Sequence, residues 1–337
     1  MKRVIVTGCS GFIGSHLLKA LCGDGHLAVL GIDARCRPAA QRVECKFELC
    51  DILDAARLKH LVSSFAPEAV IHLAARTDLD GADVGAYAAN VQGTRNVVDA
   101  VSASRSVRRV LFASSQLVCR VGYVPRSDTD YYPVNPYAES KVLTEKIVRE
   151  FMPDAITWCL IRPTTIWGEG MSAHYRRFLS LLQARRYLQF GSGALFKSYG
   201  YVGNAVHQIG KFLSVDAAQI HRRTFYLGDY QPLSLTQWTD SLSLALGVER
   251  PRRVPKAIAY ALGGCGDVLI RLGWKSFPLN TFRVRNILTE YVFDLSETEK
   301  ICGPLPFSMD QGVERVARWF LQEQAESAVP ARASAVK

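Results

Sequence analysis

The sequence has 337 residues, of which 48% are hydrophobic and 21% charged, and its formal net charge is +10. These values exclude a disordered chain and fit one large or two modest globular domains. Lys and Arg are scattered and no nucleic-acid-binding module is visible, so we expect no nucleic-acid partner. The nine cysteines are odd in number and lack metal-ligand spacing. They predict free thiols in a reducing, cytoplasmic compartment and no metal site.

No segment is predicted to cross a membrane. The N-terminal MKRVIVTG leads into a strand-like run rather than a signal peptide. The longest apolar stretch, AIAYALGGCGDVLIRLGW at 257–274, is interrupted by Asp267 and Arg271, so it falls short of the about 18 apolar residues that a span requires. It predicts a buried or amphipathic helix. We expect no membrane-surface partner, and docking of this helix on a membrane is the alternative.

The first half of the chain alternates apolar runs of strand length with segments of helical spacing. The predicted strands are 4–8, 27–33, 43–51, 69–75, 109–115 and 156–163, and the predicted helices are 12–25, 55–65, 83–104 and 136–151. This order predicts an α/β fold, a doubly wound parallel sheet with helices on both faces. Such sheets bind ligands beyond the carboxyl ends of their strands.

The alternation is lost after residue 165. We predict a first domain at 1–165 that carries the sheet, and a smaller, mainly helical C-terminal lobe at 166–323 from which some chain returns to the sheet. Short extended pieces are expected at 198–203 and 224–229. The small and polar residues 324–337 predict a disordered tail.

A glycine-rich turn, TGCSGFIG at 7–14, lies between the first predicted strand and the first predicted helix. Gly8, Gly11 and Gly14 allow a tight turn and let backbone N–H groups approach a pyrophosphate at the helix N-terminus. In this position the pattern indicates a dinucleotide-binding domain.

Asp33 ends the second predicted strand. A carboxylate there accepts hydrogen bonds from the adenosine ribose and repels the 2′-phosphate of NADP. NAD is therefore favoured over NADP, although Arg35 and Arg37 follow closely and could tolerate a phosphate.

The stretch PYAESK at 136–141 places Tyr137 and Lys141 four residues apart at the start of a predicted helix. On a helix the two side chains share one face. A nearby cation lowers the pKa of a phenol, so the pair could serve as a general acid/base for a hydroxyl or ketone. Any helix offers such pairs, and the spacing alone does not distinguish catalysis from an ordinary surface.

Five motifs occur in an order that resembles the extended short-chain dehydrogenases/reductases, a family of nucleotide-sugar epimerases, dehydratases and reductases. They are TGCSGFIG (7–14), Asp51–Ile52, HLAA (72–75), Asn90 in NVQGTRNVV, and Ser114–Ser115 followed by Tyr137 and Lys141. The resemblance covers the first 165 residues, and RPTTIWGEG (162–170) and YVGNAV (201–206) extend it. It implies a Rossmann sheet, bound NAD and a homodimer formed through the helices at 83–104 and 136–151.

The resemblance also implies roles for individual residues. Tyr137 would be the acid/base on the substrate hydroxyl, and Lys141 would lower its pKa and bind the nicotinamide ribose. Ser115 would bond the same substrate oxygen, with Ser114 as the alternative. The implied cofactor-binding residues are Gly8, Gly11, Phe12, Ile13, Gly14, Asp33, Asp51, Ile52, Leu73, Ala74, Ala75, Asn90, Tyr137, Lys141 and Pro163. The implied substrate-binding residues are Ser115, Gln116, Thr165, Lys197 and Arg283.

The expected reaction is inferred from positions where this chain differs from other members of the family. Its dehydratases carry an Asp-Glu pair where this chain has Gln116 and Leu117, which cannot supply acid and base, so water elimination is disfavoured. The expected activity is that of an NAD-dependent nucleotide-sugar epimerase, acting at C4, in polysaccharide or O-antigen sugar biosynthesis. The alternatives are a keto-sugar reductase or dehydrogenase using NAD(P), a 3β-hydroxysteroid dehydrogenase-like oxidoreductase, and a non-enzymatic NAD(H)-sensing module. IWGEG (166–170) together with YVGN (201–204) resembles the 3β-hydroxysteroid dehydrogenase branch of the family.

Overall fold

The computed structural model describes residues 2–23, 25–36, 45–191, 195–274 and 280–328. The strands are β1 (Lys2–Thr7), β2 (Leu27–Asp33), β3 (Lys46–Leu49), β4 (Ala69–His72), β5 (Arg109–Ala113), β6 (Thr157–Pro163), β7 (Thr165–Trp167), β8 (Leu188–Phe190), β9 (Phe196–Lys197), β10 (Tyr199–Tyr201), β11 (Arg223–Leu227), β12 (Leu233–Ser234) and β13 (Arg252–Val254). The helices are α1 (Phe12–Gly23), α2 (Ala55–Phe65), α3 (Ala88–Ser102), α4 (Pro136–Phe151), α5 (Ala173–Gln183), α6 (Val202–Ser214), α7 (Ala217–Ile220), α8 (Leu235–Ala245), α9 (Lys256–Arg271), α10 (Thr281–Leu288), α11 (Ser296–Cys302) and α12 (Met309–Ala328).

Seven strands form one parallel sheet in the order β11-β6-β5-β4-β1-β2-β3. This confirms the predicted doubly wound fold. The chain moves outward from β1 to β2 and β3 on one side, and then crosses to β4, β5 and β6 on the other. The carboxyl ends of β1 and β4 therefore border a topological switch point, the place where ligands bind to such sheets.

Both faces of the sheet are buried because its strands alternate their side chains between two cores. Ile5 of β1 belongs to a core that includes Leu58 of α2 and Val101 of α3. Val4 belongs to the opposite core with Leu17 of α1. The apolar runs in the sequence reflect this burial on both faces.

The chain divides into two compact units. The first comprises Met1–Ile166, Tyr199–Tyr230 and Phe293–Pro306 and contains the seven-stranded sheet. The second comprises Trp167–Ser198, Gln231–Val292 and Phe307–Lys337. Within the second unit, the ring of Trp238 stacks on Phe178 with centroids 5.4 Å apart and meets the edge of Trp167 at 5.6 Å.

The C-terminal half departs from the expected elements in two places. The extended piece expected at 198–203 is only three residues long, because α6 begins at Val202. The disordered tail was predicted to start at residue 324, which is still part of a helix. The helix α12 continues to Ala328, and Gln324 Nε2 donates to Gln183 Oε1 at 2.9 Å. Residues 329–337 lie outside the described part of the chain.

The piece expected at 224–229 is β11, which returns to the sheet beside β6. The apolar stretch at 257–274 forms α9, as predicted. No helix in the described ranges combines the length and apolarity that crossing a bilayer requires.

Candidate active site

The glycine turn after β1 is packed so tightly that side chains do not fit. Gly8 has a φ of +72°, and a Cβ there would lie 2.5 Å from the backbone nitrogen of Ala74. A Cβ on Gly14 would lie 2.1 Å from the carbonyl oxygen of Gly8. The turn brings the N-terminus of α1 against the carboxyl ends of β1 and β4, and backbone N–H groups at a helix N-terminus can donate hydrogen bonds to a pyrophosphate.

Asp33, at the end of β2, borders the same turn. Its Oδ2 accepts a hydrogen bond from the Ser10 N–H at 2.9 Å, and its Oδ1 accepts one from the Arg35 N–H at 3.0 Å. Each carboxylate oxygen keeps further acceptor capacity for a ligand hydroxyl. Asp33 and Arg35 line one cavity, and Arg37 lies outside the described residues.

The Asp51–Ile52 pair follows β3 and is positioned by α3. Ile52 lies so close to Gly93 that a Cβ on the glycine would be 2.4 Å from Ile52 Cδ1. Asn96 Nδ2 donates to the carbonyl oxygen of Ile52 at 2.8 Å. Asp51 Oδ1 accepts from the Leu53 N–H at 2.9 Å. These contacts set Ile52 as an apolar wall of the cavity.

Asn90 supports the cavity wall from behind and is not among its lining residues. Its Oδ1 accepts from the Arg76 N–H at 2.8 Å, and its Nδ2 donates to the Arg76 carbonyl at 3.0 Å. The same Nδ2 lies 2.9 Å from Ser140 Oγ on α4. Asn90 thus joins the segment after β4 to the helix that carries Tyr137 and Lys141.

The catalytic candidates meet at the start of α4. Asn135 caps this helix, since its Oδ1 accepts from the Ala138 N–H at 2.8 Å. Tyr137 and Lys141 lie one turn apart and are 6% and 3% exposed. The Tyr137 hydroxyl is hydrogen-bonded to Ser115. The structure therefore brings the three predicted catalytic residues into one cluster.

Burial dominates the protonation of this cluster. It raises the pKa of the Tyr137 phenol, and the hydrogen bond with Ser115 opposes the rise. It lowers the pKa of Lys141 to about 8, and the negative charge of Glu145 opposes that fall. For the protein groups alone, the pKa of Tyr137 therefore moves upward, contrary to the expectation that Lys141 lowers it.

Sequence reasoning missed a buried ion pair behind these residues. Glu145 lies one turn beyond Lys141. Its Oε1 accepts from Arg162 Nε and its Oε2 accepts from Arg162 Nη2, both at 2.8 Å. Tyr131 also donates to Glu145, at 2.9 Å. Ser114, the alternative for the serine role, donates to the same carboxylate. The four-residue spacing that selected the Tyr–Lys pair continues to Glu145 and was the available signal.

A cavity of about 730 Å³ in the first unit joins these parts. The predicted cofactor residues that line it are Gly8, Gly11, Phe12, Ile13, Gly14, Asp33, Asp51, Ile52, Leu73, Ala74, Ala75, Tyr137, Lys141 and Pro163, together with Ser115. Arg76, Thr77 and Asp78 also line it and were not predicted, although they directly follow the HLAA motif. The glycine cradle, the helix N-terminus and the ribose-side carboxylate fit NAD.

The predicted substrate-binding residues fall into two groups. Gln116 and Thr165 belong to the first unit, where Gln116 Nε2 donates to Thr165 Oγ1 at 3.0 Å. Lys197 belongs to the second unit and donates to the Asn286 carbonyl at 2.7 Å, with its pKa lowered by burial to about 8. Arg283 is also in the second unit and is exposed on the helix α10.

The sheet, the glycine turn and the Ser–Tyr–Lys cluster define the enzyme class of the extended short-chain dehydrogenases/reductases. Residues 4–228 match the model of the NAD dependent epimerase/dehydratase family, and the chain belongs to this family. It is accordingly an NAD-dependent enzyme, and a binding module without catalysis is set aside.

Curated relatives and solved structures cover nearly the whole chain. The N-acetyl-α-D-glucosaminyl-diphospho-ditrans,octacis-undecaprenol 4-epimerase of Escherichia coli O157:H7 is 27% identical, over 94% of this chain and 95% of the relative. A 3-β-hydroxysteroid dehydrogenase of Mycolicibacterium neoaurum is 25% identical, over 100% and 97%. The structure of UDP-glucuronic acid 4-epimerase from Bacillus cereus in complex with NAD is 18% identical, with a TM-score of 0.72 over 95% of this chain and 99% of that chain.

Proposed function

We propose that this protein is an NAD-dependent C4 epimerase of nucleotide sugars that acts in polysaccharide or O-antigen sugar biosynthesis. The observation that carries the proposal is the buried Ser115–Tyr137–Lys141 cluster on the wall of a dinucleotide-shaped cavity. Gln116 and Leu117 follow the serine in place of an acid/base pair, and this favours hydride and proton transfer over elimination.

Each residue of the cluster would have its own role. Tyr137 accepts the proton of the sugar C4 hydroxyl through its phenol oxygen and later returns it. Ser115 holds the same sugar oxygen beside the phenol, and Lys141 fixes the nicotinamide ribose. NAD held in this cavity would supply reversible hydride acceptance, so the reaction would consume no cofactor. Burial alone disfavours the Tyr137 phenolate, and the positive charge of an oxidised nicotinamide beside it would favour it.

A second candidate substrate is a sugar linked through diphosphate to a polyprenol. The support is the Escherichia coli O157:H7 relative, which is named for a substrate of this kind and which matches 94% of this chain. The sugar and its diphosphate are common to both candidates.

Product analysis tests the proposal. Purified protein with its resident NAD is incubated with UDP-, GDP- and dTDP-sugars and with N-acetylglucosaminyl-diphospho-undecaprenol, and no cofactor is added. Proton NMR follows the sugar and absorbance follows NADH. We expect a C4 epimer of one nucleotide sugar without net NADH.

Conversion of the polyprenol substrate alone would establish the second candidate. A product that requires added NAD(P)+ or NAD(P)H would instead indicate a net dehydrogenase or reductase. If no sugar reacts under any condition, the epimerase proposal is wrong, and 3β-hydroxysteroids form the next panel.

A further inference from the structure

The helix α9 presents a continuous apolar face to solvent. The apolar residues of this face follow the helical repeat i, i+3, i+4, i+7, which places them on one side of the helix, about 120° wide. They are Ile258, Ala261, Leu262, Cys265, Val268, Leu269 and Leu272. Leu269 is half-buried and the others are exposed, Val268 at 53% and Leu272 at 79%. A continuous exposed stripe of this kind differs from the scattered apolar residues of ordinary surfaces.

The opposite side of α9 is the side that packs against the rest of the second unit. Ala259, Gly263 and Gly266 are the buried positions, and α10 lies against them. A Cβ added to Gly263 would lie 3.0 Å from Val284 Cγ2 and 3.1 Å from the Thr281 nitrogen, so the two helices are in close contact. The exposed stripe is therefore not the face by which α9 is held in its own unit.

The segment that contains α9 and α10 is rich in positive charge. Residues 250–285 contain eight Lys or Arg and one Asp, a net +7 of the +10 carried by the whole chain. Arg252, Lys256 and Arg271 are exposed at or near the ends of α9, and Arg283 and Arg285 are exposed on α10. Basic residues occur throughout the chain, but the net positive charge is therefore unevenly distributed and is largest in this segment.

Three aromatic side chains are also exposed on or next to these two helices. Tyr260 is 45% exposed, Trp274 is 55% exposed just beyond the end of α9, and Phe282 on α10 is 62% exposed. Trp and Tyr favour the boundary between lipid chains and headgroups because one end of each ring is apolar and the other is polar.

We propose that α9 and α10 form a surface that docks on a bilayer containing anionic lipids, with the apolar stripe of α9 inserted between headgroups. Amphipathic helices with an apolar face and flanking Lys and Arg bind membranes in this way. The local +7 charge complements anionic headgroups, and the apolar stripe has no counterpart on a nucleic acid. This surface replaces the expectation of no membrane partner and does not depend on the proposed epimerase reaction.

Vesicle sedimentation of the full-length protein tests the proposal. We expect binding to phosphatidylcholine vesicles that contain phosphatidylglycerol, and binding at least about tenfold weaker to phosphatidylcholine alone or at high salt. The double variant Leu262→Glu/Val268→Glu should lose binding, and Arg252→Gln/Arg271→Gln should weaken it. Leu244→Glu is the matched control, because Leu244 is 57% exposed on α8, and it should bind like the unaltered protein.

Two further measurements separate insertion into the bilayer from self-association and from unfolding. Lipids brominated near the headgroup should quench the fluorescence of the unaltered protein and lose most of this effect in Trp274→Phe. Light scattering without vesicles reports the mass of each variant, and circular dichroism reports whether it is folded.

The proposal is overturned if anionic vesicles are not bound or if the folded double variant binds them normally. It is also overturned if the unaltered protein is an oligomer that the double variant dissociates, since the stripe would then contact a second copy of the chain.

Discussion

Tyr137 is almost completely buried, and its hydroxyl has Ser115 as a hydrogen-bond partner. Replacement by Phe removes the proton acceptor and keeps the ring, which lies 5.9 Å from that of Tyr87. We expect Tyr137→Phe to lower turnover on the order of 100- to 10,000-fold, as loss of a general acid/base does. The bound NAD released on denaturation should be unchanged. Tyr132→Phe, at a 45% exposed tyrosine, is the control and should retain turnover. Near-normal turnover in Tyr137→Phe would remove this residue from the mechanism.

The buried ammonium of Lys141 is needed for the proposed activity but lowers the stability of the fold. Its pKa is lowered by burial to about 8 from 10.5, so between these values the unfolded chain binds more protons and stability rises with pH. Below pH 8 the full cost of the buried ammonium is present, at most about 3 kcal/mol.

We therefore expect Lys141→Met to abolish turnover and yet to raise the free energy of unfolding of the NAD-free protein below pH 8. The gain should shrink as pH rises from 8 to 10.5. Urea unfolding across this range measures it, with Lys146→Met on the exposed side of α4 as the control. A gain that does not change with pH would show that the buried charge is not its cause.

The sequence identified the residues of the site whose spacing has a chemical meaning. The four-residue step from Tyr137 to Lys141 predicted a shared helix face, and the structure places both on the wall of the cavity. The direction of the Tyr137 pKa shift was not predictable, because it depends on burial by residues distant in sequence. The partner of Glu145 was hidden for the same reason, since Arg162 lies 17 residues away on β6.

At the scale of elements, the turn between β1 and α1 sets the position of the whole site. A side chain on Gly14 would have to move the Gly8 carbonyl, which lies 2.1 Å from the added Cβ. We expect Gly14→Ala to lose bound NAD and to destabilise the fold by about 1–3 kcal/mol, as overpacking does. Gly23→Ala, where the added Cβ meets nothing within 4 Å, is the control. NAD content and thermal melting measure the two effects, and full NAD content in a folded Gly14→Ala would show that the turn tolerates a side chain.

The elements of the sheet were predictable because burial on both faces leaves long apolar runs between turn residues. The β-strand expected at 43–51 is described only at Lys46–Leu49, and residues 43–44 lie outside the described part. The C-terminal half was harder to predict. The alternating FRVRN resembles a strand edge, yet Asn280 caps a helix there by accepting from the Arg283 N–H at 2.8 Å. A period of two over so few residues does not distinguish a strand from a helix.

At the scale of the molecule, the distribution of charge conveys more than its total. A net charge of +10 is compatible with a merely solvated basic surface. A net +7 of that charge belongs to residues 250–285, the segment of the second unit that includes α9 and α10, while the cavity lies in the first unit. Composition cannot reveal this segregation, because it depends on which face of α9 the helix α10 covers.

The predicted homodimer would use the surface of α3 and α4 in the first unit. These helices pack on each other, and α4 leaves Leu143 and Phe151 37% and 40% exposed, with half-buried Ile147 between them at four-residue steps. We expect light scattering to give twice the 37.3 kDa of one chain.

Leu143→Glu should shift this mass toward that of the monomer, because a dimer interface of this kind would bury the carboxylate without a partner. Leu181→Glu on α5, at a 36% exposed leucine in the second unit, is the matched control and should leave the mass unchanged. A monomeric unaltered protein would contradict the dimer itself. A dimer that persists in Leu143→Glu would place the interface elsewhere, and the α9 variants would then show whether it lies on the apolar stripe of the second unit.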